Sequence, residues 1–344
     1  MKVLVTGVEG YIGALLCPML MARGHDVVGL DTGYYRDGWL YSDKAEFPQF
    51  PRMINKDLRL IDQGDLEGID GVIHLAELSN DPLGQNKPEI THQINHHGSV
   101  RLAELARQAG AERFVYTSSC SVYGAGTGDF LDEQAEVNPQ TAYAHCKVNT
   151  EKDVGAMAGD DFSPVFLRNA TAYGPSPRMR FDIVLNNLTG WARTIGRIAM
   201  TSDGTPWRPL VHVRDICNAI VASLEAPRDA IHGQVFNVGR NDDNYRIREV
   251  ASIVADVFPG CELSLGDSGG DNRSYRVSFD KITSELPGFK AEWTVPEGAR
   301  QLYEIYERID MDAQLFEFRA FTRLKQLEYL IRTRQIDSEF FWRA

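Results

Sequence analysis

Cysteine is sparse in this 344-residue chain: five residues, Cys17, Cys120, Cys146, Cys217 and Cys261. No two stand at the close spacing of a zinc site, and their odd number builds no disulfide framework. Reduced thiols in a cytoplasmic protein without bound metal are the expectation. No apolar run approaches the ~18 residues that a membrane span requires, and no signal-type segment precedes the apolar run that starts at Lys2. Positive charge is in deficit, 36 Lys and Arg against 48 Asp and Glu, for a net charge of −12. Such a field repels polyanions and argues against a nucleic-acid binder. A small anionic ligand would have to be held by local arginines.

What is present is an alternation of short apolar runs with helical patterns. Lys2–Thr6, Asp26–Leu30, Gly71–Ala76, Arg113–Ser118 and Ser163–Leu167 read as buried strands. Tyr11–Arg23 and Val100–Ala109 read as helices, ended by Gly24 and Gly110. This order implies an α/β fold: a doubly wound parallel sheet of Rossmann type, covered on both faces. The alternation loosens after Gly174-Pro175-Ser176-Pro177. We therefore expect a first domain over 1–174, joined by some later segments, and a smaller mixed α/β lobe over 175–344. The aromatic-rich stretch Phe316–Ala344 reads as an amphipathic helical pair packed on the body or on a neighbouring subunit.

Gly7-Val8-Glu9-Gly10-Tyr11-Ile12-Gly13 lies between the first strand and the first helix. Glycines there permit a tight turn and bring backbone N–H groups and a helix N-terminus towards a pyrophosphate. The spacing is G-x-x-G-x-x-G, not G-x-G-x-x-G. Asp31 ends the second strand, where a carboxylate accepts hydrogen bonds from adenosine ribose hydroxyls and repels a 2′-phosphate. That favours NAD over NADP. Asp57 and Leu58 follow the next strand and are candidates for the adenine.

Tyr143-Ala144-His145-Cys146-Lys147 puts Tyr143 and Lys147 on one helical face. The ammonium favours the phenolate, making Tyr143 a usable general base and acid. Upstream, Thr117-Ser118-Ser119-Cys120-Ser121-Val122-Tyr123-Gly124 leaves an apolar strand, so its hydroxyls face the crevice where such sheets bind ligands. His92, His96 and His97 have no metal-site spacing, and His145 faces away from Tyr143 and Lys147.

Together, the glycine loop, Asp31, Val72-Ile73-His74-Leu75-Ala76, Asn95, Ser119 before Val122-Tyr123-Gly124, and Tyr143-x-x-x-Lys147 resemble the extended short-chain dehydrogenase/reductases. The nucleotide-sugar epimerases and dehydratases of the UDP-glucose 4-epimerase type are the most similar group. The resemblance spans Met1 to about Phe289. It implies NAD as cofactor, a nucleotide-diphosphate sugar as substrate, and a homodimer built on helices near Pro88–Ala109 and Thr141–Met157. By it, Ser119, Tyr143 and Lys147 are catalytic, and Gly7, Gly10, Tyr11, Ile12, Gly13, Leu75, Ala76, Asn95 and Lys147 serve the cofactor site. Ser119, Thr171, Arg208, Arg273 and Arg276 would meet the substrate. Thr171 stands where the family's segment has asparagine.

The dehydratases of this resemblance carry an Asp-Glu pair where this chain has Cys120 and Ser121, which disfavours 4,6-dehydration. A fucose-synthase-like reaction needs its cysteine at Ser121, one place from Cys120. Hydride removal and return remain, as in C4 epimerisation. A 4-ketoreductase or dehydrogenase using the same residues is the alternative, and a non-catalytic NAD-binding scaffold is a third.

Overall fold

The computed structural model describes residues 1–42, 50–79, 87–126, 128–267 and 273–343. Seven parallel strands form the central sheet: β1 (Lys2–Thr6), β2 (Asp26–Asp31), β3 (Arg52–Asn55), β4 (Gly71–His74), β5 (Arg113–Ser119), β6 (Ser163–Asn169) and β7 (Val235–Val238). Their spatial order is β7-β6-β5-β4-β1-β2-β3. The chain turns from one winding direction to the other between β1 and β4. The crevice beyond the carboxyl ends of those strands is where such sheets hold ligands.

Side-chain alternation along the strands fills two apolar layers. Val3, Val5, Ile73, Val115, Val165 and Leu167 join Leu15, Leu16, Ile216 and Ile220 on one face. Leu4, Val28, Leu30, Val72, Phe114, Tyr116 and Phe166 meet Leu102, Ala103 and Ala106 on the other. The expected elements are present with shifted ends. The first helix is Gly13–Ala22, so Tyr11 and Ile12 stay in the turn. The helix expected over 100–109 runs Ser99–Gln108 and follows a π-helical stretch, His92–Gly98. Strand β4 stops at His74, while β5 and β6 continue to Ser119 and Asn169.

From Thr171 onward, a three-stranded sheet of Thr171–Tyr173, Trp207–His212 and Asn244–Arg246 packs with helices Val184–Ile195, Ile247–Val257 and Val295–Arg308. Helix Val213–Glu225 and β7 return to the central sheet. The expected C-terminal helical pair is instead one full helix, Arg323–Arg332, preceded by short turns. After it, Arg334 and Phe340 take positive φ, and Asp337 accepts hydrogen bonds from the N–H groups of Glu339 and Phe341, both at 2.9 Å. This Asx-type turn replaces the second helix.

Candidate active site

A cavity of about 310 Å³ opens at the carboxyl ends of β1, β2, β4, β5 and β6. One end is the glycine loop. Gly7 has φ +72°, and a Cβ there would lie 2.8 Å from the backbone N of Ala76. A Cβ on Gly13 would lie 2.4 Å from the Gly7 oxygen. Both positions thus require glycine, and the turn brings the start of helix Gly13–Ala22 against the cavity. Tyr11, Ile12, Leu75 and Ala76 line the same wall.

Asp31 closes this end. Its two carboxylate oxygens accept hydrogen bonds from the N–H groups of Glu9 (3.0 Å) and Gly33 (2.8 Å). Burial raises its pKa, and those amides oppose the shift. Asp57 and Leu58 also line the wall, and Asp57 is bound through both oxygens by the Arg59 guanidinium at 2.7 and 2.9 Å.

At the other end, Thr117, Ser118 and Ser119 leave β5, and Tyr143 and Lys147 project from helix Ala142–Gly155. Thr141 caps that helix, accepting from the Ala144 N–H at 3.2 Å. The Lys147 ammonium lies 5.3 Å from the Tyr143 ring centroid and donates to the Thr117 carbonyl. It also forms a buried ion pair with Glu77 at 2.6 Å. Burial alone would lower the Lys147 pKa, but Glu77, Tyr143 and Glu151 together outweigh it and the net direction is upward. Glu77 itself is raised by burial, opposed by Lys147 and by the Tyr116 hydroxyl, which donates to it at 2.6 Å. Ser119 Oγ accepts from the Ser121 N–H at 3.2 Å and faces the cavity. Cys120 turns away: its thiol is buried against the Arg168 carbonyl at 3.1 Å, and burial pushes its pKa up.

The arrangement is one elongated cleft with a backbone-amide anion cradle, a carboxylate beside it, and a Ser-Tyr-Lys cluster at the far end. The NAD dependent epimerase/dehydratase family model matches residues 3–239.

The chain belongs to that family.

UDP-glucose 4-epimerase of Mycolicibacterium smegmatis is 34% identical over 322 residues, spanning 89% of this chain and 98% of its own. The solved structure of MoeE5 with UDP-glucuronic acid and NAD is 30% identical, with a TM-score of 0.75, covering 90% of this chain and 99% of that one. UDP-glucose 4-epimerase of Thermotoga maritima, at 21% identity and a TM-score of 0.77, shares the fold. This epimerase/dehydratase-family protein is therefore an NAD-dependent enzyme. The glycine cradle, which any Cβ would fill, and the Asp31 carboxylate fit a dinucleotide.

Most of the cofactor and catalytic residues expected from the sequence line this one cavity; Thr171 does too. Asn95 does not. It is fully buried, and its amide clamps Leu78, donating to the carbonyl at 3.0 Å and accepting from the N–H at 2.8 Å. Its role is to hold the wall after β4, because no part of the side chain reaches the cavity. Arg208, Arg273 and Arg276 gather elsewhere, on the smaller lobe. Arg208 donates to the Trp207 carbonyl at 2.8 Å and to that of Arg273, and Arg276 lies 5.2 Å from the Trp207 ring. Glu77, Asn169, Arg180 and Arg323 line the cavity and were missed. Glu77 had a readable signal: a carboxylate three residues past the end of a central strand.

Among the described residues, no helix is long and apolar enough to cross a membrane, and no His, Cys, Asp and Glu group could hold a metal.

Proposed function

We propose that this enzyme epimerises a nucleotide-diphosphate sugar, at C4, by transient oxidation of a ring hydroxyl and return of the hydride. The observation that carries the reading is the composition of the reactive end of the cleft. Ser119, Tyr143 and Lys147 face it, whereas the Cys120 thiol is buried behind it and Glu77 is bound to Lys147 and Tyr116. The cluster suits a proton exchange with one hydroxyl, and among the described residues it offers no free carboxyl or thiol to drive loss of water.

NAD, when bound, supplies reversible hydride chemistry. Tyr143 takes the hydroxyl proton and gives it back, Ser119 orients the oxygen, and Lys147 favours the phenolate. The relatives named for UDP-glucose 4-epimerase, and the MoeE5 complex with UDP-glucuronic acid, support a UDP-sugar as substrate. A 4-ketoreductase using the same three residues is the second reading, since nothing in the cluster forbids net reduction.

The test is purified enzyme with a panel of nucleotide sugars, UDP-glucose first. An epimerase forms the C4 epimer without added NADH and without net change in reduced-nicotinamide absorbance. Stoichiometric NADH consumption would replace this reading with the reductase.

The helices His92–Gly98, Ser99–Gln108 and Ala142–Gly155 lie side by side, and we propose that they form the interface of a homodimer. The five free thiols suit a cytoplasmic setting.

A further inference from the structure

The segment after the smaller lobe does not stay with that lobe. Leu327, Leu330, Ile336 and Phe340 form an apolar cluster with Tyr34, Leu78, Ile90 and Ile94 of the NAD domain. Tyr34 donates its hydroxyl to the Phe340 carbonyl, the Trp342 indole donates to the Thr32 carbonyl at 2.6 Å, and Gln326 donates to the Tyr34 carbonyl at 2.9 Å. The Arg59 guanidinium, already held by Asp57, stacks 3.7 Å from the Phe341 ring centroid. The loop that follows Asp31 is thus covered by residues 292 to 310 positions away in sequence.

This packing drives Arg323 into the cavity wall. Its side chain is almost fully buried, at 5% exposure, with the guanidinium 3.9 Å from the Tyr35 ring centroid. Among the described residues no carboxylate forms an ion pair with that guanidinium. Asp182 accepts a hydrogen bond from the backbone N–H of Arg323, at 3.2 Å. Arg180 lines the same wall, held by Asp182 at 2.9 Å and by the Ser79 hydroxyl at 3.1 Å. Burial lowers the Arg323 pKa to about 10 and the charge of Arg180 adds to the shift, against weaker opposition from Tyr35, Asp182 and Asp31. Arg180 is paired with Asp182, so Arg323 is the cation of this wall that, among the described residues, has no ion-paired carboxylate, an arrangement that a bound anion would relieve. The glycine loop contributes no cation of its own, and its acidic residue, Glu9, pairs with Arg36 at 2.7 Å.

We propose that Arg323, together with Arg180, is an anion subsite for the diphosphate of the bound dinucleotide, so that segment 319–343 fastens the cofactor into its domain. Its place beside Tyr35 and within electrostatic reach of Asp31 assigns it to the cofactor and not to the substrate's diphosphate. The proposal rests on NAD dependence and is independent of which sugar is turned over.

The test uses the full chain stripped of nucleotide and calorimetric titration with ADP, adenosine, NAD and UDP; turnover is not measured. In Arg323→Gln, affinity for ADP and NAD should fall roughly ten-fold or more, the worth of a charge-assisted hydrogen bond. Affinity for adenosine and UDP should stay within about two-fold. Unchanged ADP affinity would overturn the proposal, and so would weakened UDP binding with ADP intact. Should Arg323→Gln fail to fold, Arg323→Lys keeps the charge but loses the planar fork. It should reduce the preference for ADP over adenosine several-fold, and a wild-type preference would equally overturn the assignment.

Discussion

Tyr143 puts a hydroxyl in the cleft with Lys147 on the same helical face. Tyr143→Phe keeps the ring and its packing and removes the proton carrier, so turnover should fall about 10²–10⁴-fold. NAD binding should persist, because the glycine cradle and Asp31 are untouched; near-native turnover would end the mechanism. Glu77 bears on the same chemistry through Lys147. Its carboxylate, 2.6 Å from the ammonium, cancels part of the field that favours the phenolate. Glu77→Gln removes that negative charge while keeping a hydrogen-bonding side chain. The working base should then persist to lower pH, moving the acid limb of kcat/KM down by on the order of one pH unit. A purely structural Glu77 would lower stability and leave the limb in place, so pH profiles and melting curves together separate the two roles.

At the scale of elements, the sequence makes the central sheet and its crevice readable because they depend on local signals. Short apolar runs marked β1, β2, β4, β5 and β6, and the glycine turn and Tyr143-x-x-x-Lys147 each sit within one short segment. Contacts between distant segments were not readable. Glu77 meets Lys147 across 70 positions, and Arg323 reaches the wall only because an apolar cluster brings the last helix back to Tyr34 and Ile94. Asn95 reads in the sequence as a residue that supports the site; its amide holds the backbone of Leu78, which lines the cleft, across a contact no local signal shows. Asp182 ties that returning helix to the site. Burial would raise its pKa, but Arg180 and the Arg323 N–H reverse this and bring it down to about 2. A depressed carboxyl contributes stability above its unfolded value near 4 and loses it as pH falls through the folded value. The shift corresponds to about 2 kcal/mol. Asp182→Asn should therefore cost about that much in urea unfolding at pH 7, and the gap to wild type should narrow at pH 3. A gap that does not change with pH would assign the loss to packing.

For the whole molecule, the proposed dimer face has an unusual make-up. The paired helices carry His92, His96, His97 and His145, with His97 and His145 exposed. The rings of His96 and His97 are 5.1 Å apart, and His96 bonds Asp153 at 2.7 Å. Burial lowers the pKa of His92, and the other three histidines lower it further, so they already sense one another within one subunit. A twofold interface sets a patch against its own copy, which places both sets of imidazoles together. Burial at such an interface disfavours the charged form of His92 further, so protonating it favours the separated subunits. Sedimentation should show a dimer at pH 7.5 and a larger monomer fraction at pH 5.5, reversible on neutralisation. His92→Gln should blunt the acid response while preserving the neutral dimer. A monomer at micromolar concentration and pH 7.5 would refute the assembly. A dimer indifferent to pH would place the interface on another surface, of which the side of helix Val184–Ile195 carrying exposed Trp191 and Ile195 is the first to test.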